Sequence, residues 1–227
     1  MVAEKIAELK ARITTICKRL GRDAEEVLLV LVTKQVSAET IRLAYDAGMR
    51  AFGENRVQEL LSKKDLLPPD VKWHLIGHLQ TNKVKDCIKY VTMIHSLDSL
   101  KLADEIEKQA GKKNLTIDCL VQVNTSGEAS KFGVPPEALE SLIHSVLNHS
   151  HIRLKGLMTI GPLTKEEAAI RASFKTLKSL QTRMQNRFPA LKWNYLSMGM
   201  SQDFEWALEE GSNCLRIGTA VFGERVV

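Results

Sequence analysis

Short apolar runs rich in β-branched residues recur along the whole 227-residue chain, each separated from the next by a helical or turn-rich stretch. They lie at residues 27–32, 50–53, 73–76, 92–95, 117–123, 154–159, 193–196 and 214–217. The first, VLLVLV, is apolar at every position, the pattern of a parallel strand covered on both faces rather than of a strand with one wet side. Between the runs lie stretches with one apolar face, such as Leu139, Leu142, Ile143, Val146 and Leu147, or Ile170, Phe174, Leu177, Leu180 and Met184. Further helices are expected at residues 38–47 and 56–64. Alternation of this kind implies βαβ units and a parallel sheet. Eight repeats favour closure into a (β/α)₈ TIM-like barrel over an open, doubly wound sheet.

Ile6, Leu9, Ile13, Ile16 and Leu20 recur at steps of three and four, so an amphipathic helix precedes the barrel and Gly21 can end it. Pro68-Pro69 and Pro135-Pro136 read as turn punctuation at helix entries, and no linker or low-complexity tract divides the chain. One domain over residues 1–227 is the expectation, a length that α/β barrels commonly occupy as a single unit.

Composition narrows the class. The formal net charge is +5, but 32 Lys and Arg are interleaved with 27 Asp and Glu, so no basic block marks a nucleic-acid surface. Aromatic residues are only 5%, too few for a row of stacking platforms, and Trp73, Trp193 and Trp206 fit core packing better. The four cysteines are widely spaced, with no CxxC pair, and Cys119 and Cys214 sit inside apolar runs. No apolar run is long enough to cross a bilayer, and the N-terminus lacks a signal-like apolar stretch. A reducing, cytoplasmic setting without nucleic-acid or membrane partners is expected.

A barrel places its ligand groups on the loops that follow the strands. Those positions hold Lys34 after the first run, Glu54 and Asn55 after the second, His78 after the third, Ser96 after the fourth and Asn124 after the fifth. The seventh leads into Ser197-Met198-Gly199-Met200-Ser201 and the eighth into Arg216-Ile217-Gly218-Thr219. Small, glycine-rich loops after strands seven and eight, followed by a helix N-terminus, make a phosphate cradle. Ser201 is expected to open a helix, with Glu205 as its partner. Taken singly, Ser201 is more commonly an N-cap and Gly218 a turn residue. Lys34 follows a buried strand, where desolvation would leave its amine partly neutral and nucleophilic toward an aldehyde, although a lysine reaching out to solvent is the commoner case. His74 and His95 fall in strands and suit hydrogen-bonded core positions, whereas His144, His149 and His151 suit a solvated helix end.

Several motifs carry a family resemblance across nearly the whole chain: LVTK at 31–34, FGENRVQE at 52–59, WHLIGHLQTNK at 73–83, QVNTSGEASKFGV at 122–134, GLMTIG at 156–161, SMGMSQDFEWALEEGS at 197–212 and RIGTAVFG at 216–223. The sequence resembles the pyridoxal phosphate homeostasis protein family. That resemblance implies a fold-type III barrel, similar to the N-terminal barrel of alanine racemase, which holds pyridoxal 5′-phosphate (PLP) as a Schiff base. It implies that Lys34 forms the internal aldimine, that Ser201, Gly218 and Thr219 hold the phosphate, that Arg216 faces the pyridine nitrogen, and that Asn55 and Met158 line the ring. Thr33 stands where serine is common before the lysine, and Gln35-Val36 replaces a common Thr-Lys.

A guanidinium opposite the pyridine nitrogen keeps that nitrogen unprotonated and weakens the ring as an electron sink. The sequence ends at Val227, four residues beyond Gly223, and offers no further domain from which a racemase's second base could come. The resemblance therefore implies a monomeric carrier that buffers PLP or delivers it to PLP-dependent apo-enzymes without turnover. The alternative is a small fold-type III enzyme such as an amino-acid racemase, using His78 or another barrel-mouth residue as base.

Overall fold

The computed structural model describes residues 1–128 and 130–224. Eight strands, β1 (Leu28–Val32), β2 (Ala51–Glu54), β3 (Lys72–Leu75), β4 (Val91–Leu97), β5 (Ile117–Gln122), β6 (Ile152–Met158), β7 (Tyr195–Ser197) and β8 (Cys214–Ile217), pair in sequence order into a closed parallel barrel. The ring closes through β1 and β8, in the register Leu28 with Cys214 and Val30 with Arg216. Helix α1 (Val2–Arg19) precedes the barrel. Outside the strands lie α2 (Ala38–Asp46), α3 (Val57–Lys63), α4 (Val84–Cys87), α5 (Leu100–Gly111), α6 (Leu139–Val146), α7 (Glu167–Arg187), α8 (Phe204–Glu209) and α9 (Thr219–Phe222). The expected (β/α)₈ barrel with an N-terminal helix is the fold observed.

Alternation of side chains along each strand divides the apolar residues between two cores. Leu29, Leu31, Phe52, Trp73, Leu75, Leu215 and Ile217 point outward and join the helices in the main core. Leu28, Val30, Ala51, Tyr195 and Cys214 pack together inside the barrel, and Met93, Leu120 and Met158 form a second interior group with Tyr195. Helix α1 buries Ile6, Leu9, Ile13, Ile16 and Cys17, and its polar side reaches α8 through an Arg12–Glu205 pair at 2.6 Å and an Arg19–Glu209 pair. All four cysteines are free and buried, with the Cys87 thiol pushed up to about 12 and Cys214 to about 11 by burial.

Some sequence expectations shift. The seventh strand begins at Tyr195 instead of Trp193, which lies in the preceding loop and donates its indole N–H to Phe188 O at 3.3 Å. Strand β4 continues to Leu97, so Ser96 lies within it rather than after it. Pro68-Pro69 opens the turn into β3 and not a helix, whereas Pro136 does begin the 3₁₀ turn that leads into α6. His149 and His151 are not simply solvated: they bind Asp104 and Glu107 of α5, at 2.9 and 2.8 Å, and only His144 is left exposed. Among the described residues no helix is long and apolar enough to cross a membrane.

Candidate functional site

The loops after β1, β6, β7 and β8 surround a pocket of about 350 Å³ at the C-terminal mouth of the barrel. Its lining includes Lys34, Thr164, Lys165, Ser201, Asp203, Arg216, Gly218 and Thr219, with Leu163, Ile170, Met200 and Trp206 as apolar walls. Five of the seven residues singled out in the sequence thus meet in one place: Lys34, Ser201, Arg216, Gly218 and Thr219. Asn55 lines a neighbouring depression with Arg56, Gln58, His78, Gln80 and Lys83. Met158 is fully buried in the barrel interior against Met93 and Leu120 and does not reach the pocket surface.

The β7 loop folds through specific contacts. Gly199 adopts φ +97°, and a Cβ there would stand 2.5 Å from Ala207 Cβ, so a side chain is excluded on two counts. The buried Ser212 hydroxyl donates to Met198 O at 2.7 Å, and the Arg216 backbone N–H donates to Gly199 O at 3.0 Å. Ser201 does not open a helix as expected. Helix α8 starts at Phe204 behind the N-cap Asp203, whose carboxylate accepts from the Met200 N–H at 2.5 Å, and Glu205 faces α1. The Ser201 Oγ instead accepts the backbone N–H groups of Gly218 and Ala220, each at 3.2 Å. With both lone pairs engaged, its hydrogen is left to donate into the pocket. The Thr219 N–H, at the first position of α9, has no acceptor among the described residues. Together these groups present donors and no acceptor, a match for an oxyanion.

Arg216 enters from the barrel interior. Its Nη1 donates to Ser197 Oγ at 2.6 Å and its Nη2 to Thr159 O at 2.7 Å. Ser197 Oγ lies 3.1 Å from His95 Nδ1, and His95 Nε2 lies 2.9 Å from His74 Nδ1. Burial pulls His74 down to about 4, and burial, His74 and Arg216 together hold His95 well below the usual imidazole range. Both rings are therefore neutral near pH 7; Arg216 donates to Ser197, and the direction of the two remaining bonds follows the tautomers of the histidine pair. Burial also lowers the Arg216 pKa, opposed by Cys214 and Asp203, yet a guanidinium keeps its charge. Burial raises the Asp203 pKa, which softens the one acidic group in the lining.

Lys34 stands at the edge of the pocket and is exposed, so the dry surroundings expected for its amine are not found around it. Its neighbours are fixed from behind. Lys63 of α3 is buried and donates to Thr33 O at 2.8 Å, Glu54 Oε1 at 2.9 Å and Glu59 Oε1 at 2.6 Å. The Thr33 hydroxyl donates to Glu54 Oε1 at 2.6 Å, and the Gln35 backbone N–H donates to Glu59 Oε1. The rim loop after β6 is held by the β5 loop, where Lys131 Nζ donates to Gly161 O and Glu128 accepts the Leu163 N–H at 3.1 Å. Sequence reasoning did not single out Leu163, Lys165 or Asp203, and it read Trp206 as a core residue, which packs against the core and also lines the pocket. Only their position beside a strand end could have flagged them.

The family model for the alanine racemase N-terminal domain matches residues 5–226. A pyridoxal phosphate homeostasis protein of Aquifex aeolicus is 44% identical over 223 residues, covering 98% of this chain and 97% of its own. The chain belongs to the pyridoxal phosphate homeostasis protein family. A solved structure similar to this family member is PipY of Synechococcus elongatus with PLP bound, at a TM-score of 0.87 and 33% identity, covering 98% of this chain and all of that one. An alanine racemase from Clostridium difficile superposes with a TM-score of 0.75 at 16% identity, covering 96% of this chain and 56% of its own, which shows a shared barrel fold and no more.

Proposed function

We propose that the chain binds PLP in the pocket between β1, β7 and β8 and serves PLP homeostasis by holding and delivering the cofactor without turning over a substrate. The observation that carries this is the convergence in one pocket of a lysine, a buried arginine and a donor-only cradle. The donor set fits the group: the Ser201 hydroxyl and the Thr219 backbone N–H suit its phosphate, with Gly218 held beside them by Ser201, and Lys34 suits its aldehyde. Bound there, PLP supplies an aldehyde that can be linked to the Lys34 amine as a Schiff base. Arg216, held in place by Ser197 and Thr159, would present a fixed positive charge to the ring and disfavour protonation of its nitrogen. The name of the Aquifex relative and the PLP in the PipY structure support this reading. Receipt of the cofactor by PLP-dependent apo-enzymes, and a monomeric cytoplasmic form, belong to the same proposal.

Borohydride reduction of the PLP-treated protein, followed by peptide mapping, tests it. A pyridoxyl adduct on Lys34 is expected; no adduct, or one on another lysine, would overturn the proposal. The racemase alternative needs a base near Lys34. His78 lies outside the pocket lining, bonded to Asp98 at 3.2 Å and stacked on Phe132. Deuterium exchange at the α-carbon of added amino acids at PLP saturation separates the two readings: turnover abolished by Lys34→Ala would remove the carrier.

A further inference from the structure

Lys63 has no surface to serve. It is buried on the barrel side of α3, and its three ammonium hydrogens go to Thr33 O, Glu54 Oε1 and Glu59 Oε1. An ammonium has three donors, so the group is fully used. Burying a lysine is costly unless such partners surround it. What it holds is the backbone on either side of Lys34. Thr33 is fixed through its carbonyl by Lys63, through its hydroxyl by Glu54, and through its N–H by Gly53 O at 2.9 Å. Gln35 stands at φ +58°, a conformation that a glutamine rarely adopts, and its N–H is tied to the Glu59 carboxylate. Glu59 and Lys63 are one helical turn apart on α3 and bridge at 2.6 Å, so both flanks of Lys34 are anchored to the same helix. The Lys34 side chain has no partner among the described residues and lines the pocket.

We infer that Lys63, acting with Glu54 and Glu59, is the positioning residue for Lys34: it fixes the two peptides flanking that lysine so that its amine meets the aldehyde of a ligand already seated by its phosphate. The inference rests on the PLP reading above. In it, the Lys34 amine condenses with the aldehyde, the C=N bond forms and one water leaves. Lys63 touches neither ligand nor reacting atoms. Its effect is confined to the part of the affinity that depends on the aldehyde, because the phosphate cradle is built from β7 and β8.

The test measures binding of PLP and of pyridoxine 5′-phosphate, which has the ring and phosphate but no aldehyde, to the full chain and to Lys63→Met, Glu59→Ala and Glu59→Gln. Loss of a charge-assisted anchor is expected to weaken PLP binding by about tenfold or more in Lys63→Met and by a smaller factor in Glu59→Ala. Glu59→Gln keeps an oxygen for the Gln35 N–H and is expected to restore PLP binding. Pyridoxine 5′-phosphate affinity should stay unchanged throughout. Should Lys63→Met fail to fold, the Glu59 pair, on a partly exposed side chain, gives the same comparison. Parallel weakening of both ligands, or unaltered PLP binding in Glu59→Ala, would overturn the inference alone. A parent chain that binds pyridoxine 5′-phosphate but forms no adduct at Lys34 would overturn the PLP reading instead, and this inference with it.

Discussion

The Ser201 Oγ lies 3.2 Å from the backbone nitrogen of Gly218 and accepts its hydrogen, joining the β7 loop to the β8 loop through one atom. The same oxygen accepts from Ala220, so one serine both shapes the cradle and aims a donor into it. Ser201→Ala removes that donor and releases two backbone N–H groups. Affinity for PLP and for inorganic phosphate should fall together, by about tenfold, in equilibrium titrations. Equal affinity of parent and variant for phosphate would refute the role.

Ser197 is the link between Arg216 and His95. Ser197→Ala leaves an arginine hydrogen and a histidine nitrogen unpaired in the barrel interior, at a cost of about 1–3 kcal/mol. Urea unfolding should show this as a lower midpoint at unchanged slope. The absorbance of bound PLP should shift as well, since Arg216 is then held only by Thr159 O.

The histidine pair makes stability depend on pH. In the unfolded chain the His74 ring takes a proton near the ordinary value of 6.5, whereas in the barrel it resists until about 4. Below pH 6.5 the unfolded state therefore binds more protons, and stability falls as the pH drops toward 4, by about 1.4 kcal/mol per unit for each such group. His95 adds to this in the same direction. Glu54 and Asp203, whose pKa values burial raises, work oppositely. Comparing His74→Asn with the parent between pH 7 and 5 isolates the histidine contribution. The variant should lose less stability on acidification, and parallel curves would contradict the buried-neutral assignment.

Arg22, just beyond α1, donates to Leu208 O at 2.7 Å and to Ser212 O at 2.6 Å, satisfying carbonyls at the end of α8. Arg22→Ala should lower the melting temperature by several degrees, corresponding to about 1–3 kcal/mol. PLP affinity should change far less than in Ser201→Ala, because the cradle contacts are left in place. Calorimetry with and without PLP reads both effects.

The strands were legible because their two-sided burial leaves apolar runs such as residues 27–32, and five of the pocket-lining residues because a barrel gathers its loops at the strand ends, whereas Asn55 and Met158 fall outside that lining. Strand β7 was the weakest signal: it has only three residues, one of them the serine that turns inward to Arg216. Ser201 looked like an N-cap because a small hydroxyl residue precedes a helix there. Its actual partners lie 17 and 19 residues away on the next strand's loop, which no local pattern encodes. The row from His74 to Arg216 is likewise assembled across the barrel from four separate strands. Lys63 and Glu54 are nine residues apart and meet only because α3 folds back over β2.

Closure of the ring through β1 and β8 brings Lys34 beside Gly218, one from near the beginning of the chain and the other from near its end. During synthesis on a ribosome, the lysine emerges long before the residues that would seat a phosphate. A growing chain that still lacks β8 therefore has Lys34 but not Gly218 and Thr219, and the pocket proposed for PLP is complete only once the last strand closes the ring.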